Sequence, residues 1–91
     1  MILELVSKPA ETAVSNIHYV LINGSASTLA LPASPAVGTM VWVTPGNVLN
    51  NNVIARNGSN IMGLAEDMTL DNADATAALR YINSSLGWRL L

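Results

Sequence analysis

Apolar residues come in short bursts along this chain instead of recurring every three or four positions. Ile17-His18-Tyr19-Val20-Leu21-Ile22, Met40-Val41-Trp42-Val43 and Leu79-Arg80-Tyr81-Ile82 are rich in β-branched and aromatic residues, too short for helices and bounded by Gly, Pro, Asn or Asp. Each predicts a strand. In the second, Trp42 shares a face with Met40 and Val41 shares the other with Val43, so both faces are apolar. A strand of that kind is covered on two sides, at the centre of a sheet or at a subunit contact.

Turn chemistry joins these runs. Asn23-Gly24 predicts a first hairpin over Ile17–Leu31, which Pro32 and Pro35 then stop. Thr44-Pro45-Gly46-Asn47 reads as a turn. Asn57-Gly58, the dipeptide best suited to the positive φ angles of a tight reversal, predicts a second hairpin between Val53–Arg56 and Asn60–Met62. Met68–Leu70 is another short apolar segment. Ala75, Ala77 and Ala78 favour a helix, but the alternation that follows them predicts a strand over Ala75–Ile82, with a last strand at Leu86–Leu90. The expected fold is all-β: a small antiparallel sandwich or barrel-like domain of seven or eight short strands. Residues 1–16, where Pro9 interrupts the apolar opening, read as an N-terminal arm or edge strand ahead of a β domain over 17–91.

Composition adds a reason to expect association. The 91 residues make one domain near the lower size limit for an unreinforced core, and the absence of cysteine removes disulfides and thiolate metal sites. Charged residues make up 11% of the chain, against about 25% in an ordinary soluble domain. Mean hydropathy is positive, at +0.38. Either the surface is carried by Asn, Ser and Thr, or part of it is buried against other copies, and the second is the expectation. A net charge of −2 with scattered Lys8, Arg56, Arg80 and Arg89 argues against a nucleic-acid partner. No apolar run reaches transmembrane length, so no membrane partner is expected. Met1-Ile2-Leu3-Glu4 lacks the basic start of a secretion signal, which points to synthesis in the cytoplasm.

Candidate chemistry is sparse. His18 is the single histidine, and no Gly-x-Ser-x-Gly elbow accompanies it. Glu66, Asp67, Asp71 and Asp74 supply oxygens for calcium or a carboxylate pair for glycoside hydrolysis, but without an EF-hand's central glycine or an aromatic platform. No enzyme activity, cofactor or metal is expected. The Asn23, Asn57 and Asn83 sequons read as turns. Of the aromatic residues, Trp42 and Trp88, with Ile61, are expected to fill the core or a subunit interface.

The order of several pieces carries a resemblance. Leu29-Ala30-Leu31-Pro32-Ala33-Ser34-Pro35-Ala36-Val37-Gly38 is followed by Met40–Val43, Ile54-Ala55-Arg56-Asn57-Gly58-Ser59-Asn60-Ile61, Gly63-Leu64-Ala65-Glu66-Asp67, Leu79-Arg80-Tyr81 and Gly87-Trp88-Arg89. From about Thr28 to Arg89 this series resembles a small β-structured module of tailed-bacteriophage virion proteins, found in tail fibres and head-surface proteins. The resemblance implies a homotrimer. Because residues 1–27 leave no room for a fibre shaft ahead of the matching region, it also implies a free-standing capsid decoration, or cement, protein. Its partners would be itself and the major capsid protein lattice, and its place the virion surface. A short tail-fibre, tailspike or baseplate component, or a carbohydrate-binding module for host attachment, is the alternative.

Overall fold

The computed structural model describes residues 2–91, and among them there is no helix. Nine strands form two sheets: β1 (Ile2–Val6), β2 (Ala10–Thr12), β3 (Ile17–Leu21), β4 (Thr28–Ala30), β5 (Met40–Thr44), β6 (Asn52–Ala55), β7 (Met68–Leu70), β8 (Ala77–Asn83) and β9 (Gly87–Leu90). The larger sheet has the order β1-β3-β5-β8-β9 and the smaller β2-β4-β6-β7. The first six strands cross back and forth between the sheets. Each pairs in parallel with the strand two before it, so β1, β3 and β5 line up in one sheet while β2, β4 and β6 line up in the other. A parallel pair needs a long crossover. Here the crossover is a strand of the opposite sheet, where many folds use a helix. Three antiparallel ladders, β5–β8, β8–β9 and β6–β7, finish the molecule.

The all-β expectation stands, and the antiparallel one is corrected: both sheets are mixed. The first predicted hairpin does not form. β3 and β4 lie in different sheets, and Gly24 does not adopt the positive φ that a tight two-residue reversal at Asn23-Gly24 would need. The second keeps its turn but not its partner. Asn57 and Gly58 have φ of 49° and 93°, and Ser59 N–H closes the turn on Arg56 C=O at 3.3 Å. Yet β6 pairs with β7, while Asn60–Met62 is drawn to β9, where Trp88 N–H donates to Asn60 C=O and Met62 N–H to Trp88 C=O, both at 2.8 Å. Gly87 permits that approach. A Cβ there would collide with the Asn60 carbonyl, on a residue whose φ is +68°.

The interior between the sheets follows from strand alternation. Tyr19 and Leu21 of β3, Val41 and Val43 of β5, Leu79 and Tyr81 of β8 and Trp88 of β9 face Leu29, Ile54 and Leu70 of the smaller sheet, all of them buried. Tyr81 and Trp88 are register partners with rings edge to face, centroids 5.5 Å apart. Such a pair adds about 0.5–1.5 kcal/mol beyond its burial. Ser27, Thr39 and Asn52 are the buried polar residues among those described, and Asn52 has no exposed surface. Its side chain accepts Ser27 N–H at 2.9 Å and donates to Asn47 at 3.0 Å, which satisfies the buried amide.

Candidate assembly surfaces

Strand alternation that fills the interior also fixes what the larger sheet shows on its other side. One row across that outer face reads Leu3, His18, Trp42, Ala78, and the next reads Leu5, Val20, Thr44. Leu3 and Leu5 are more than half exposed, at 56% and 58%, and Val20, Met40 and Trp42 are half-buried. The polar break is a short chain of hydrogen bonds: His18 Nε2 lies 2.6 Å from Thr44 Oγ1, which lies 2.6 Å from Thr76 Oγ1. At one corner, Met40 leads to Arg80, which faces Arg89 directly across the β8–β9 ladder. No acidic residue stands in these rows.

A different surface opens where β7, the free edge of the smaller sheet, runs past the C-terminal end of β9. Two adjoining hollows of about 180 and 250 Å3 share Met68 and Leu90. Met62, Leu64 and Leu91 supply further apolar lining, while Glu66, Asp67 and Asp71 stand at the rim. Asp67 is engaged within the chain, its carboxylate accepting Arg56 N–H at 2.8 Å. Glu66 and Asp71 are exposed. The cleft is greasy inside and acidic outside.

The opposite end of the sandwich, with β1 and β2 as its edges, carries a carboxyl pair. Glu4 and Glu11 point inward on facing sheets, and their contact raises the Glu4 pKa above its ordinary 4.5, chiefly through a hydrogen bond to Glu11, then through burial and the neighbouring charge. Lys8, 3.3 Å from Glu11 Oε1, opposes the shift. Tyr19 completes this corner. Burial pushes its phenol up, while the Val14 N–H that it accepts pulls it back.

The residues singled out from the sequence fall in two places. Trp88 is fully buried and Ile61 nearly so, and a β-bridge joins them. Trp42 lies apart from both, on the outer face of β5. His18 meets the Thr44 hydroxyl, and no carboxylate hydrogen-bonds it among the described residues. Nor do Glu66, Asp67, Asp71 and Asp74 converge: among the described residues no three acidic or histidine side chains gather about a common point. Sequence reasoning missed the cleft, the Arg80–Arg89 pair and the Glu4–Glu11 pair. The latter two were visible only as isolated charges, because nothing local to the sequence states which strands are neighbours.

Neither protein-family models nor curated proteins supply a match to this chain.

Proposed function

We propose that this protein is a non-catalytic structural component of a bacteriophage particle, a homotrimeric decoration protein that seats on the assembled capsid and holds it together. The observation that carries the assembly part of this reading is the outer face of the larger sheet, where Leu3, Leu5, Val20, Met40, Trp42 and Ala78 lie in register with no acid among them. Five strands spaced about 4.8 Å apart make a face some 24 Å wide and about 17 Å along the strands. That is about 400 Å2, roughly half of the ~800 Å2 per partner of a standard-size interface, so the surfaces around the face would have to contribute the rest. The virion setting comes from the Leu-Pro-x-Ser-Pro, Arg-Asn-Gly-Ser-x-Ile and Gly-Trp-Arg pieces of the sequence.

Such a protein acts by mass action. Binding the assembled lattice and not its free subunits stabilises the lattice by RT ln(1 + [L]/Kd) per site, and three linked contacts act together without any one being strong. A sugar-stacking platform is less well supported, because Tyr19, Tyr81 and Trp88 are buried and Trp42 alone among the aromatic rings reaches the outer face. Light scattering on a dilution series tests the assembly reading: a mass of three chains held into the low micromolar range is expected. A monomer at every concentration would overturn it.

A further inference from the structure

The charges of this small chain are segregated in a way that its own fold does not use. Lys8 is paired with Glu11, the one ion pair among the described residues. Among those residues the guanidinium groups of Arg56, Arg80 and Arg89 form none; Arg56 stands alone, its Nε buried without a hydrogen-bond partner, while Arg80 and Arg89 stand side by side. They are direct register partners in an antiparallel ladder, with Cα atoms about 5.5 Å apart for a hydrogen-bonded pair. Like charges so placed destabilise a sheet. No carboxylate among the described residues forms an ion pair with either. Elsewhere, Glu66 and Asp71 are exposed at the rim of the cleft and likewise form no ion pair.

We infer that a second copy of this chain seats the Arg80–Arg89 corner of its larger sheet on the acidic rim of the cleft between β7 and β9. The inference rests on the self-association reading above and names the surfaces that meet. Apolar parts match as the charges do: Met40 and Trp42 adjoin the arginine corner, and Met62, Leu64, Met68 and Leu90 line the cleft. Guanidinium groups suit carboxylates because they present a planar fork of donors. The contact joins two different patches of the same molecule. It is therefore heterologous, the kind of interface from which a closed ring of three is built when the rotation between copies closes.

The test compares solution mass for four proteins at low and high salt. Arg80→Glu/Arg89→Glu makes both patches acidic, and Glu66→Lys/Asp71→Lys makes both basic; each should weaken assembly by roughly ten-fold or more. The chain carrying all four substitutions exchanges the signs and should regain the wild-type mass. Raised salt should dissociate the wild type and the four-fold variant alike. Circular dichroism checks that each variant is folded, and should the four-fold variant fail to fold, the salt response of the wild type decides. A trimer whose mass ignores both charge reversal and salt would overturn this contact and leave self-association standing. A wild type that is monomeric throughout would overturn both.

Discussion

The two faces of the larger sheet are made from the same strands and from nearly the same kinds of residue, yet they do different work. On the inner face, Tyr19, Leu21, Val41, Val43, Leu79 and Trp88 are sealed against the smaller sheet. On the outer face, Leu3, Leu5, Val20, Met40, Trp42 and Ala78 stand in equally regular rows with no sheet behind them. A single small sandwich supplies one interior, so a strand apolar on both faces must leave one of them to solvent or to another molecule. In this protein the fold leaves that second face uncovered, and it is the face on which the proposed assembly rests.

The two tryptophans give the sharpest way to break that comparison. Trp88→Ala, which empties a fully buried site and removes the partner of Tyr81, is expected to cost about 3–5 kcal/mol. Urea or thermal denaturation reads the loss directly, and a change below about 1 kcal/mol would mean that the inner face is far less tightly packed than its burial implies. Trp42→Ser should behave in the opposite way. Monomer stability should fall by about 1 kcal/mol or less, as for a surface position, while solution mass shifts towards one chain. An unchanged mass would remove Trp42 from the contact.

A smaller effect is expected at the edge, where the inner and outer faces meet at β1. Glu4 has a raised pKa in the folded protein, mainly because it shares a hydrogen bond with Glu11, so the folded state holds a proton more readily than the unfolded chain. Stability from this pair is then greatest near and below the ordinary carboxyl value and falls as pH rises through the folded one. Glu4→Gln should raise the melting temperature at neutral pH and flatten its rise on acidification. A variant that melts lower than the wild type at pH 7 would show that Glu4 serves the fold as an ion.

β1 also shows how far the sequence is legible. In Ile2-Leu3-Glu4-Leu5-Val6, local pattern would bury the leucines and expose the glutamate. The fold exposes the leucines and turns a half-buried Glu4 inward, because Val6 is in register with Leu21 and Glu4 with Tyr19, both of which face inward. By contrast the strands at 40–44, 77–83 and 87–90 were readable to within a few residues, since each alternates strongly and is bounded by turn residues. The alanines at 75–78 did not make a helix, because the run that follows them is held between β5 and β9.

What the sequence by itself determined is the period of two, the turn at Asn57-Gly58 and the shortage of charge. These are properties of a residue and its near neighbours: the choice of φ, the alternation of side chains and the count of ionisable groups. Pairing is of another kind. That β3 joins β1 and β5 in parallel, that β6 takes β7, and that Arg80 meets Arg89 depend on contacts between residues distant in the chain. Tertiary structure alone decided these, because many pairings satisfy the same alternation. Only the closure of one shared interior, with Gly87 allowing the loop at Asn60 to reach β9, selects among them.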